Sequence, residues 1–438
     1  MKLARAARMS ATSRIAFAGA GGKTRAIFQM AEEYSGRVLI TATTHLGNWQ
    51  IGKSCEHITE PIEEILFKAI ERSRKKILVV TSAIVHDRRV KGLEPSQMDG
   101  LVRVADRLNL PILIEADGSR RLPVKAPADH EPSIPDFCDK VMFMASLECL
   151  GRKNGDRMVF RPGIFAKITG CEIGTKITGQ HLIKLFLSTE GGLKRIPPQA
   201  NKVAVFSHCN SASRYLEGRK LAHSLSLDYD SVLLTKNNRI LTMQERTVGI
   251  VLAAGESKRY PGNKLLIDWD GRPLIRHVVI QALSSALDSI VVVVGNRAEA
   301  IKKVLVGLPI QVVENKRWSD GISSSLRTGL EALQDPIGAA IVMQADQPFL
   351  RAAAINKLLE YHAKDLAPVA ALKVKEQRSS PTLFDRMMFP LLMTLKGDKG
   401  GSQLFGEHPP EFVKWGDDRI LMDIDTPADL LEARSFDH

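Results

Sequence analysis

Two cations five residues apart, Arg259 and Lys264, follow the turn Leu252-Ala253-Ala254-Gly255 at the end of an apolar run. A loop of this kind turns backbone N–H groups toward an anion while both side chains reach the same place, an arrangement suited to a nucleoside triphosphate. Downstream, the run Ala339–Gln344 ends in Ala345-Asp346-Gln347-Pro348, and Asp425 lies in Met422-Asp423-Ile424-Asp425-Thr426-Pro427. Hard oxygen ligands from two separated stretches, together with phosphate oxygens, suit Mg²⁺. For Asp425 a helix-capping role beside Thr426-Pro427 is the competing reading. Between these stretches, Gly321-Ile322-Ser323-Ser324-Ser325 places three hydroxyls at a helix start, where they either meet a ligand or simply cap the helix.

A second glycine-rich turn stands near the N-terminus. Ile15-Ala16-Phe17-Ala18-Gly19-Ala20-Gly21-Gly22-Lys23-Thr24 reads as strand, loop and helix start. In a P-loop the N–H groups cradle phosphates, the lysine reaches them and the threonine binds Mg²⁺. Here Phe17 stands where that pattern has its first glycine, so the loop is a shortened, P-loop-like version. Gly19, Gly21, Gly22, Lys23 and Thr24 are its candidate binding residues, with ATP or GTP the expected ligand. Ile112–Asp117 supplies an acidic strand end for a metal-bound water, and Thr41-Ala42-Thr43-Thr44-His45 offers hydroxyls. His130 is a candidate ligand, although a surface histidine is the commoner reading. Ser207-His208-Cys209-Asn210 lacks the Asn…Asp pair of a guanine-reading motif.

Positioning such loops requires an α/β frame. Short β-branched runs alternate with longer amphipathic stretches in both halves, the pattern of parallel sheets covered by helices. The expected strands are 14–18, 37–41, 76–80, 111–115, 140–145 and 202–206, then 248–253, 289–294, 311–314, 339–344 and 367–372. The polar stretch 236–247 is read as the boundary, giving domains over 1–240 and 247–438.

Composition narrows the class. A chain of 438 residues exceeds one ordinary core. No apolar run spans a bilayer, and no basic stretch interleaves with aromatics, so neither membrane nor nucleic acid is an expected partner. The five cysteines form no CxxC pair and read as reduced thiols in a cytoplasmic protein. The net charge of +12 falls on the N-terminal side of residue 248, which favours anionic ligands or an acidic partner there.

The ordered set LAAG-x-S-x-R…K, N-x-x-W…G-I-S-S-S-L, A-D-Q-P, P-T-L-F, G-D-K-G-G and D-I-D-T-P across 247–435 resembles the molybdenum cofactor cytidylyltransferases, members of the nucleotidyltransferase family with a GT-A/Rossmann-like fold. That resemblance implies transfer of CMP from CTP to molybdenum-molybdopterin with release of pyrophosphate, for use by molybdenum hydroxylases. It makes Leu252, Ala253, Ala254 and Gly255 the cradle for base and ribose, and Arg259 and Lys264 the triphosphate clamp. Asp346 and Asp425 become Mg²⁺ ligands, Ser323, Ser324 and Ser325 face the nucleotide, and Gly397, Asp398, Lys399 and Gly400 help receive the molybdenum cofactor. Guanylyl-transferring relatives tend to carry glycine at the position of Ala254, whose methyl narrows the slot toward a pyrimidine. Two departures stand out: Pro261 replaces the usual glycine, with Gly262 next to it, and Ala345 replaces a glycine before Asp346.

GAGGKT, TATTH, EADGSRRLPVKAP and HEPSIP, over roughly 12–210, resemble the selenium-dependent hydroxylase accessory protein family. That family is associated with molybdenum hydroxylase maturation, which makes a hydroxylase apoenzyme an expected partner. Two other functions stay open on the sequence: a nucleotide-driven cofactor chaperone or insertion factor, and a sugar- or polyol-phosphate nucleotidyltransferase.

Overall fold

A computed structural model describes residues 1–47, 51, 52, 55–86, 89–237, 239–333 and 337–436. Backbone contacts divide the chain into two units, Met1–Gln244 and Glu245–His438. Both are α/β, and each carries one large sheet.

In the first unit the main strands are β1 (Arg14–Gly19), β2 (Val38–Ala42), β3 (Cys55–Ile58), β4 (Ile77–Val80), β5 (Ile112–Glu115), β6 (Lys140–Ser146), β7 (Asn201–Ser207), β8 (Ser231–Lys236) and β9 (Arg239–Gln244). They form one nine-stranded sheet in the order β9-β8-β7-β6-β1-β5-β2-β4-β3. All neighbours are parallel except β9, which returns antiparallel to β8. Every residue of β1 is buried, because both faces of a central parallel strand are covered. The stretch read from sequence as a connector thus contains an edge strand. Its signal was present in Ile240 and Met243, which are buried while Arg239 and Leu241 are exposed.

The second unit contains β10 (Thr247–Ala253), β11 (Ser289–Val294), β12 (Gln311–Glu314), β13 (Ala339–Gln344), β14 (Val369–Val374), β15 (Gln377–Asp385) and β16 (Glu411–Lys414). The sheet order is β12-β11-β10-β13-β15-β14-β16. β15 runs antiparallel to both of its neighbours, so this sheet is mixed. Val251 and Ala253 of β10 enter one apolar cluster and Val248, Ile250 and Leu252 the other, as strand alternation demands. Each such buried aliphatic side chain contributes about 1.5–3 kcal/mol. β10 therefore holds the following loop on a rigid base. Ligands in open α/β sheets bind beyond the carboxyl ends of the strands, where residues 254, 295 and 345 all lie. Among the described residues no helix is long and apolar enough to cross a membrane.

Candidate functional site

In the second unit, Lys264 Nζ lies 2.6 Å from Asp346 Oδ2 and 2.7 Å from Asp425 Oδ1, and Arg259 Nη2 lies 2.5 Å from Asp425 Oδ2. Four side chains from three separated stretches meet beside the 252–255 turn. Together they line a cleft of about 500 Å³ with Ser325, Trp318 and Asp398.

Local structure explains the convergence. Asn263 accepts a hydrogen bond from the Leu265 N–H at 3.0 Å and opens the short turn that presents Lys264. The Ile424 N–H donates to the Asp346 carbonyl at 3.0 Å, tying the two acidic stretches together through the backbone. Capping of helix Pro427–Ser435 belongs to Thr426 and Asp429 and not to Asp425. Thr426 Oγ1 accepts from the Asp429 N–H, and Asp429 Oδ2 accepts from the N–H groups of Thr426 at 2.7 Å and Asp425 at 2.9 Å. The Asp425 carboxylate is thereby left to Lys264 and Arg259. Burial alone would lower the Lys264 amine, but Asp346 and then Asp425 outweigh it and raise it above its ordinary value.

Asp346 Oδ1 is buried and accepts no hydrogen bond. An oxygen in that state suits a hard cation, since an unsatisfied buried acceptor is costly. Among the described residues no group of three or more His, Cys, Asp or Glu side chains is arranged to hold a metal. Two carboxylates alone would supply only part of a cation's ligand shell.

The serine cluster divides. All three serines are buried, and only Ser325 lines the cleft. Ser324 Oγ donates to the Arg317 and Gly321 carbonyls, and the Asn315 amide donates to Ser324 Oγ at 2.7 Å and Ser325 Oγ at 3.0 Å. Ser324 thus faces its own loop, and Ser323 lies outside the cleft lining, so of the three serines that the family resemblance turns toward the nucleotide only Ser325 borders the cleft. Gly321 has φ +98°, and a Cβ there would come within 2.5 Å of the Gly397 backbone and Asp398 Oδ1. Only glycine admits that approach, which brings Asp398 to the cleft wall. Gly397 accepts from the Ser323 N–H through its carbonyl and serves the loop's shape. Ala254 is nearly buried, its methyl turned toward Gly295. The left-handed residue of the 255–263 loop beyond Pro261 is Gly262, φ +96°, so the displaced glycine carries the turn.

Asp423 lies two residues before Asp425 in the same acidic stretch. It keeps contact with solvent, yet burial among surrounding atoms, and then the Asp346 and Asp425 charges, raise its carboxyl to about 6. A carboxyl raised on folding opposes stability as pH climbs from about 3.8 through 6, where the unfolded chain ionises more readily. Asp423→Asn should therefore raise the melting temperature of this unit at pH 7.5 and lose that advantage by pH 4. After solvent screening the gain is no more than about 1 kcal/mol. Thermal melts across that range check it.

The first unit gathers a different set. Gly19 (φ +87°) and Gly21 (φ +78°) sit so close to the Met144 and Ser146 backbone that a Cβ would fall within 2.5 Å of it. The N–H groups of Gly19, Ala20 and Gly21 are spent within the fold, on Asp117 Oδ2, the Met144 carbonyl and the Leu122 carbonyl. They do not form the expected cradle, because Asp117, β6 and the Leu122 turn have taken them. Among the described residues, no acceptor takes the N–H groups of Gly22, Lys23, Thr24 and Arg25, at the start of helix Lys23–Glu33, which has no side-chain cap. Lys23 Nζ donates to the Gly19 carbonyl at 2.5 Å and lies 3.0 Å from Asp117 Oδ1, and Thr24 Oγ1 donates to Glu115 at 2.7 Å. Burial raises Glu115.

Behind them runs a chain of charges that sequence reading missed. Lys125, fully buried, lies 2.8 Å from Asp117 and 2.9 Å from Glu131, and Glu131 lies 2.5 Å from Arg161. Burial lowers Lys125. Burial would raise Glu131, but its bonds to Arg161 and Lys125 prevail and hold it at about 2. His130 is exposed and offers only its carbonyl to Arg195, so the residue that matters in that run is its neighbour. Thr41 and Thr43 hydroxyls donate to the Val80 and Ser133 carbonyls and are occupied by the fold.

The two halves match different protein families. Residues 249–412 match the family described as "MobA-like NTP transferase domain", and residues 15–163 match the "YqeC protein" family. The "Uncharacterized protein YqeC" of Escherichia coli is 34% identical over 215 residues, covering 45% of this chain and 78% of the relative. "Nicotine blue oxidoreductase" of Paenarthrobacter nicotinovorans is 27% identical over 187 residues, covering 41% of this chain and 91% of the relative. Among solved structures, a nucleotidyl transferase from Methanothermobacter thermautotroptrophicus is 22% identical, with a TM-score of 0.40, over 44% of this chain and 98% of its own. The chain belongs to the YqeC family through its N-terminal half and carries, in its C-terminal half, a MobA-like nucleotidyltransferase domain.

Proposed function

We propose that the C-terminal half transfers CMP from CTP to molybdenum-molybdopterin, releasing pyrophosphate and forming a cytosine dinucleotide cofactor. The observation that carries this reading is the meeting of Lys264 with Asp346 and Asp425 beside the 252–255 turn.

The turn receives base and ribose, with Ala254 narrowing the slot toward cytosine. Arg259 and Lys264 lie where a triphosphate would need positive charge, and they hold the phosphate chain while its leaving oxygens gain charge. The terminal phosphate of molybdopterin is already ionised and attacks the α-phosphorus. One P–O bond forms, the bond to pyrophosphate breaks, and no protein base or nucleophile is required. Asp346 and Asp425 would hold Mg²⁺. When bound, that ion neutralises developing negative charge on phosphate oxygens. Asp398, in the cleft wall, would face the entering acceptor.

Pyrophosphate release from molybdenum-loaded molybdopterin, with CTP, GTP or ATP in turn, tests the reading. The expected result is CTP-dependent release that falls about 10²-fold in Lys264→Ala, the usual loss when one charge-stabilising donor is removed. Faster turnover with GTP overturns the base assignment. Retained cofactor binding with no release from any nucleotide favours a chaperone.

A further inference from the structure

The charge chain of the first unit has no part in that transfer, and its arrangement points to a ligand of its own. Asp117 is 1% exposed. Its Oδ2 is satisfied by the Gly19 N–H and Lys125, but Oδ1 accepts no hydrogen bond and faces only the Lys23 ammonium, 3.0 Å away. Lys23 therefore has a partner it can leave. If it turns outward, Asp117 keeps a cationic partner, because fully buried Lys125 still lies against it and is itself held by Glu131. The place toward which Lys23 can turn is the uncapped helix start at Gly22–Arg25, where four N–H groups point at any anion. A Cβ at Gly22 would meet nothing within 4 Å, so that approach is open. Beside it, Glu115 and the Thr24 hydroxyl are already joined at 2.7 Å. The released Asp117 Oδ1, Glu115 and Thr24 present hard oxygens for a divalent cation next to the anion seat.

We propose that residues 22–25, with Lys23, Asp117, Glu115 and Thr24, bind the magnesium complex of a linear polyphosphate, and that Lys23 passes from Asp117 to the phosphate on binding. The shared chemistry is a phosphate chain with its cation. Free pyrophosphate and the tail of a nucleoside triphosphate both present it.

Equilibrium dialysis of the full-length chain against radiolabelled ATP, GTP and pyrophosphate, with and without Mg²⁺, tests this. Because the C-terminal cleft also takes a nucleotide in our reading, each measurement is repeated in Lys264→Ala. Binding that survives Lys264→Ala and is lost at least tenfold in Lys23→Ala is the expected result. Lys23→Ala removes a buried cation, so Thr24→Ala serves as the milder variant. It should lose the Mg²⁺-dependent gain while still unfolding in one cooperative transition, and Thr24→Ser, which keeps the hydroxyl that Glu115 accepts from, should restore the gain. ATP or GTP binding tenfold tighter than pyrophosphate assigns the chain to a nucleotide, and equal affinities assign it to the free anion. The proposal is overturned if Lys264→Ala removes all binding, or if Thr24→Ala binds every probe as wild type does with Mg²⁺ present. The C-terminal reading is judged separately, by pyrophosphate release.

Discussion

Asp346→Ala is expected to reduce pyrophosphate release by about 10³-fold, equivalent to roughly 4 kcal/mol of lost transition-state stabilisation. The side chain contributes one oxygen to Lys264 and a second, buried and unbonded, that the fold leaves for a cation. Removing both leaves Lys264 paired to Asp425 alone and, on the proposed reading, takes away one of the two carboxylates that would hold Mg²⁺. The substitution spares the fold, because Ile424 is held by the carbonyl of residue 346, which alanine retains. Asp346→Asn should fall nearly as far, since it keeps the shape and loses the charge. Steady-state release at saturating CTP and Mg²⁺ is the measurement, and a variant within tenfold of wild type removes Asp346 from the reaction.

The second large effect is on stability. Glu131→Ala should destabilise the N-terminal unit by about 3–5 kcal/mol, the typical consequence of breaking a buried ion pair. Lys125 has no exposed side-chain surface, and Glu131 is one of its two carboxylate partners. The pH dependence has a definite sign. Glu131 is depressed from 4.5 to about 2, so its contribution is present above pH 4.5 and disappears as pH falls through 2. Urea unfolding followed across that window should show a steeper acid decline in wild type than in Glu131→Gln.

How much of this was readable beforehand depends on how local the determinant is. Strands 289–294 and 339–344 were legible because a continuous apolar run records burial on both faces. β15 was not, since Gln377-Arg378-Ser379-Ser380 looks like a loop and becomes a strand only by pairing with β13 and β14. The meeting of Lys264, Asp346 and Asp425 could be anticipated from strand ends and the family resemblance. The inward turn of Ser324 could not, because it depends on Asn315 and the Gly321 carbonyl arriving at the same spot. Likewise the role of Lys125 hangs on partners eight residues back and six ahead that only the folded loop brings together.

The Asp425–Asp429 backbone clasp also bears on synthesis. Residues 425–429 leave the ribosome after every strand of their sheet has been translated, so a nascent chain can complete that sheet while its cleft still lacks one acidic wall. A folding intermediate of this unit would be structured but unable to turn over nucleotide until its final helix docks.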